Sequence, residues 1–391
     1  MLARKWSNAR CIIAALLILV ITVPMVFYAQ VIDRLYLKVL FTKLSFSLST
    51  TKGNETLSNL NLLNVAKNKE DLAFWISVFD PKMIMDELLR DAGGGYQLDC
   101  HTQAHNIGRI SYQLYGASVF KTGNSLCHSG YYHGAMEAFL QEKGTLNLSE
   151  NMTTLCNTFD TNFGQFECYH GVGHGALAYE DYDLPKAIKL CKKLPDSFSQ
   201  TSCMGGVFME NVVTADGKGA GPTHTTTWVS SNPHYPCNYF SKDEDVQLQC
   251  YHMQTSRMLQ LFGNNFDLVL PECLKAPTNM QHACFRSFGR DAAGIALRNP
   301  QRIVELCSKI SQANVFVDEC VIGALNVIVD FWGENLSNQA STFCKELPNA
   351  HKNTCYGTLA NRLPSLFSMK SKKADVCKTF EQEYQNLCNQ L

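Results

Sequence analysis

Polarity along the chain falls into three regimes. The first is an uncharged run, CIIAALLILVITVPMVFYA, at residues 11–29. Its length matches a helix that crosses a bilayer. Arg4, Lys5 and Arg10 precede it, which favours a cytoplasmic N-terminus. The competing reading is a cleaved secretory signal. Phe27 stands where such a signal prefers a small residue, so the anchor is favoured. Either way, the rest of the chain is expected outside the cytoplasm: in a periplasm, an ER/Golgi lumen or the extracellular space. The second regime, residues 31–70, mixes apolar residues with Ser, Thr and Asn and reads as a stalk. It follows a unit of residues 1–30 that comprises a cytoplasmic tip and a signal anchor.

The third regime, residues 71–391, is helical. Asp80 can cap a helix with Pro81 in its first turn, and the segment MIMDELLRDAG continues to a stop at Gly93, Gly94 and Gly95. From Cys156 the pattern repeats. A capped segment such as Asp183 to Cys191 or Asn299 to Cys307 carries a cysteine in its last turn. A polar loop follows, and a second cysteine opens another helix. The doublets are Cys156/Cys168, Cys191/Cys203, Cys237/Cys250, Cys273/Cys284, Cys307/Cys320, Cys344/Cys355 and Cys377/Cys388. Their first members are 35, 46, 36, 34, 37 and 33 positions apart. Two helices in each such unit predict an all-α array of helical hairpins, either a curved solenoid or a closed α/α toroid.

Cysteine usage adds the staples. Sixteen of the seventeen cysteines follow residue 99, which points to an oxidising compartment. The natural pairing is within each doublet, with Cys100 left for Cys127. No C-x-x-C occurs, which argues against metal coordination by cysteine. The longest gap in the rhythm, from Cys203 to Cys237, holds an inserted loop at 216–228, DGKGAGPTHTTTW. It is a possible lid that carries His224. Asn-x-Ser/Thr sequons stand at Asn54, Asn147, Asn151 and Asn335 and do not decide between compartments. Charge removes one class of partner. With 34 basic and 35 acidic residues the chain has no basic surplus for phosphate backbones, so nucleic acid is not expected.

The candidate chemistry lies in histidine. Six of the eleven histidines fall between 101 and 174, inside the His-rich first half of the array (100–175). His101/His105 and His170/His174 are each four apart, which puts both rings of a pair on one helix face. Register on the second cysteines adds a column six residues later: Asn106, His133, His174, Met209, Ser256, Arg290, Asn326 and Asn361. Seven of the eight are polar, so this face is expected to line solvent or a lumen instead of a core. His101, His105, His133, His170 and His174 are therefore expected to converge on a divalent transition metal, zinc, iron or copper. Glu137 would act as ligand or general base. Arg286 and Arg290, four apart, with His224, would hold an anionic substrate group. The leading expectation is a membrane-anchored metal-dependent enzyme, hydrolase or oxidase. The alternatives are a non-catalytic repeat scaffold for a protein, peptide or glycan, and a protein of metal storage or delivery. The segments Gly130 to Gly134 and Cys168 to Gly171 resemble inner-helix starts of α/α-toroid enzymes, lanthionine-cyclase-like proteins among them. That resemblance implies architecture alone: the family binds zinc partly through cysteine, whereas these cysteines are assigned to disulfides.

Overall fold

A computed structural model describes residues 57–91, 100–121, 123, 127, 129–215, 217, 225–296, 299–310 and 314–390. Three short helices come first: α1 (Leu62–Val65), α2 (Lys69–Val78) and α3 (Pro81–Asp91). Two long helices follow, α4 (Cys100–Tyr115) and α5 (Gly130–Lys143). Short and long helices then alternate: α6 (Leu148–Cys156) with α7 (Asn162–Tyr179), and α8 (Leu184–Cys191) with α9 (Ser197–Ala215). A 3-10 turn at Cys237–Phe240 takes the short place before α10 (Glu244–Leu261). The series continues with α11 (Phe266–Lys275) and α12 (Gln281–Ala296), then α13 (Pro300–Ser308) and α14 (Asn314–Trp332). It ends with α15 (Gln339–Glu346), α16 (Asn349–Leu366) and α17 (Lys370–Cys377).

Local chemistry sets the helix starts. Asp183 accepts a hydrogen bond from the Lys186 backbone N–H at 3.1 Å, and Asn299 accepts one from Arg302 at 3.2 Å. Both satisfy otherwise orphaned first-turn donors. Thr161 does the same for Gly164 at 3.1 Å, which starts α7 well before Cys168. The second cysteine therefore does not open its helix from α7 onward, as the sequence pattern suggests. It sits about a turn or more inside, where its sulfur can reach back to the preceding short helix. Disulfides join Cys100–Cys127, Cys156–Cys168, Cys191–Cys203, Cys237–Cys250, Cys273–Cys284, Cys307–Cys320, Cys344–Cys355 and Cys377–Cys388. Their Cα–Cα separations run from 5.3 to 6.1 Å.

The long helices pack in series, α4 on α5, α5 on α7, and so on to α14 on α16. Then α16 returns against α7, so the array curves back on itself. Glycine lets three pairs of neighbouring helices touch backbone to backbone. A Cβ on Gly108 would overlap the carbonyl of Tyr131, and one on Gly134 the carbonyl of His105. The same reciprocal arrangement joins Gly173 and Gly206 across α7 and α9, and Gly289 and Gly323 across α12 and α14. Glycine inside a helix costs about 1 kcal/mol relative to alanine, a cost these close crossings offset.

The membrane readings need correction. Residues 11–29 lie outside the described residues, and among the described residues no helix is long and apolar enough to cross a membrane. The fold is therefore stated as all-α and disulfide-rich. The transmembrane anchor, the membrane as a partner and the single-pass topology are not supported. Part of residues 57–70 packs on the array. Leu57, Leu62 and Ala66 are buried in the common core, because the turn before α1, α1 itself and the residue after it lay their apolar side chains on the body of the array.

Candidate metal centre

Helices α4, α5 and α7 bring five histidines side by side. The imidazoles of His101 and His133 have centroids 5.3 Å apart, and those of His105 and His133 are 6.3 Å apart. His133 stacks on His174 at 3.6 Å, with ring planes 13° apart. The His170 ring centroid is 5.1 Å from that of His174. His133 is thus the hub. The Gly134–His105 crossing explains why, since it pulls α5 onto α4 at the residue beside His133.

Three of the five form a set that could coordinate a metal ion. One ring nitrogen each from His133, His170 and His174 lies within 4.8 Å of the others, and all three residues are buried. Nε2 of His174 and Nε2 of His170 are 3.2 Å apart. On its other side, His174 Nδ1 meets Glu210 Oε2 at 2.8 Å. A carboxylate accepts, so Nδ1–H donates to it and the lone pair of His174 is left on Nε2, toward His170. A carboxylate behind a histidine in this way fixes the tautomer that a metal requires. Tyr182 supports the carboxylate from behind, its hydroxyl 3.3 Å from Glu210 Oε1. Burial, and then Glu210, raises the phenol above its usual range, so it stays a donor.

His133 is the least satisfied of the set. Both of its ring nitrogens are shielded from solvent and have no hydrogen-bond partner among the described residues. A buried polar group left in that state costs about 1–3 kcal/mol. Burial keeps the whole set neutral. It pushes His133, His170 and His174 well below the ordinary imidazole value, with neighbouring histidines adding to the effect. Burial also takes His105 down to about 3, against the pull of Glu137 and with help from Arg109. Neutral imidazole is the form that ligates.

His101 and His105 border the set without joining it. His101 Nδ1 lies 2.9 Å from the Cys127 carbonyl, and His105 Nδ1 lies 3.3 Å from Arg109 Nη2. Glu137, expected as ligand or base, is engaged elsewhere. Arg109 donates to its Oε2 at 2.5 Å and Gln141 to its Oε1 at 3.1 Å. That ion pair is buried, and a paired buried carboxylate is not a free base. Arg286 and Arg290 sit on α12, where Arg286 pairs with Glu319 and Arg290 with Asp291. They are not part of the histidine group. His224 and most of the 216–228 loop lie outside the described residues. Sequence reasoning missed Arg109, Tyr182 and Glu210. Glu210 stands one residue past the polar column and carries no motif of its own.

The reading as a membrane-anchored metal-dependent enzyme is therefore corrected. No membrane-crossing helix is found among the described residues, and the candidate base is held in an ion pair. What stands is a helical protein whose buried histidine cluster could chelate a metal. The chain matches no family model, no curated protein and no solved structure.

Proposed function

We propose that this protein binds and carries a divalent transition metal, in storage or delivery, with His133, His170 and His174 as ligands. The observation that carries the reading is His133. Two shielded ring nitrogens without partners among the described residues, stacked on a histidine whose lone pair is fixed by Glu210, are costly in a metal-free core. A metal would satisfy one of them and use the lone pair that Glu210 directs. An all-imidazole set suits zinc or copper, then iron, and does not suit magnesium or calcium, which take oxygen. Glu210, and Tyr182 through it, would hold His174 in place. Burial of the set favours holding an ion over turning over a substrate.

The test is titration of the chelator-stripped, disulfide-intact full chain with zinc and with copper(II). One equivalent of at least one metal should bind to the wild type, and the His174→Ala variant should lose most of that affinity. Equal uptake by both proteins, or none by the wild type, would refute the reading.

A further inference from the structure

A metal held by His133, His170 and His174 has to pass between side chains on its way in and out, because all three residues are buried. The sides of the cluster differ in what they offer a cation. Behind His174 stand Glu210 and the buried Tyr182. On the His105 side, Arg109 places a guanidinium nitrogen 3.3 Å from the ring, and His105 is itself buried. A fixed positive charge there repels an arriving cation. Beside His170 lies the Phe166 ring, with centroids 5.4 Å apart, and a phenyl ring is no ligand.

His101 is the remaining neighbour. Among the five clustered histidines it alone is part-exposed. Its ring meets that of His133 edge-on, with centroids 5.3 Å apart, so it stands between solvent and the hub of the cluster. Its orientation is set by the backbone. Nδ1 lies 2.9 Å from the Cys127 carbonyl. A carbonyl accepts, so Nδ1–H donates to it and the lone pair of His101 is on Nε2. Cys127 is in turn tied by its disulfide to Cys100, the residue next to His101. Gly130 lets the turn after Cys127 close on this histidine: a Cβ there would stand 2.6 Å from the His101 carbonyl and 3.2 Å from its Nδ1. A carbonyl behind His101 thus prepares a ligand as Glu210 does behind His174.

We propose that His101 is the port of the metal centre, taking a divalent transition metal from solvent and handing it to the triad through His133. This role presupposes the metal at the triad proposed above and adds the route to it. Each step is a ligand exchange. A bond from His101 Nε2 to the metal forms as a metal-bound water leaves. A bond from a His133 ring nitrogen then forms as Nε2 leaves, and release runs the same steps backwards. Stepwise exchange keeps the ion ligated throughout, whereas a divalent charge stripped of water before it reached a ligand would pay the full cost of desolvation.

Stopped-flow exchange on the disulfide-intact full chain tests the port, with zinc as the probe and copper(II) alongside. Loading is followed as metal is mixed with the stripped chain, and release as the loaded chain meets excess chelating dye. His101→Phe keeps the bulk of the ring without its nitrogens, and His101→Ala removes both. Both variants should load and release roughly tenfold or more slowly, with Kd, the ratio of the two rates, within about threefold of the wild type. Wild-type rates in His101→Phe would overturn the proposal and leave the triad standing. So would faster loading in His101→Ala, which would make the ring a plug. Faster release with unchanged loading and a weaker Kd would make His101 a resident fourth ligand, and would overturn the port as well. If the wild type binds neither metal, the triad reading fails and the port falls with it. His101 is part-exposed, so circular dichroism of both variants should match the wild type and keep the comparison valid.

Discussion

Replacing His133 with leucine should stabilise the metal-free protein. In the native core both ring nitrogens are buried without hydrogen-bond partners among the described residues. Removing unsatisfied groups of this kind recovers about 1–3 kcal/mol each. Two losses oppose the gain. The stack on His174, at 3.6 Å, contributes about 0.5–1.5 kcal/mol. The change of shape in a packed core costs up to about 1.5 kcal/mol. With central values, about 4 kcal/mol recovered from the two nitrogens against about 2 kcal/mol lost, the net expectation is a stabilisation of about 2 kcal/mol for the stripped protein at pH 8, where histidine protonation plays no part. Metal reverses the order. At a free metal concentration of about 1,000 Kd the wild type gains about 4 kcal/mol, and the variant, short of a ligand, gains little. Urea unfolding followed by circular dichroism, with chelator and then with zinc or copper, reads both halves. If His133→Leu destabilises the stripped chain and the metal increment is unchanged, His133 is an ordinary core residue and the argument fails.

Acid should weaken the fold above the ordinary carboxylate range, although burial raises Glu167 well above that range and opposes part of the fall. His105, His133, His170 and His174 have folded-state pKa values below the unfolded value near 6.5, so the unfolded chain takes up protons first. Their contribution is complete above 6.5 and is lost as pH falls, by about 1.4 kcal/mol per pH unit for each ring. Urea midpoints at pH 7.5 and 5.5 should show a clear fall, and a flat profile would contradict the burial of neutral rings. Glu210→Gln should keep the fold and lower metal affinity by about 10–100-fold, measured by competition with a chelating dye; unchanged affinity would remove the positioning role. Gly206→Ala should destabilise by about 3 kcal/mol or more, because its Cβ meets the His170 carbonyl. Gly294→Ala, with open space around its Cβ, should gain about 0.5–1 kcal/mol. Similar midpoints for these two variants would remove the close-crossing account.

Much of this was written in spacing. The cysteine doublets mark the helix hairpins because each bridge spans one short loop, and the i, i+4 histidines mark one face of α4 and of α7. Boundaries were harder to see. The second cysteine looks like a helix start because polar residues precede it, yet Thr161 and Asp243 cap α7 and α10 earlier. Four members of the polar column face neighbouring helices and not open space. His133 and His174 are buried, whereas Asn326 and Arg290 are tied into contacts with Arg362 and with Ser256 and Asp291. Glu210 and Arg109 could not be found by pattern. Their roles come from the tertiary approach of α9 to α7 and of α4 to α5, which a single sequence does not encode as a period. Glu137 shows the reverse case. One turn after His133 it is well placed for chemistry on paper, but Arg109 reaches it from the neighbouring helix.

X-ray absorption on the metal-loaded full chain addresses the central claim most directly, because it reads the ligands themselves. The account predicts a first shell of imidazole nitrogens at about 2.0–2.1 Å for zinc, with the multiple scattering of three histidine rings and no sulfur. In His133→Leu the histidine count should drop by one. A shell of oxygens alone, a sulfur contribution, or an unchanged shell in His133→Leu would place the metal elsewhere and contradict the account.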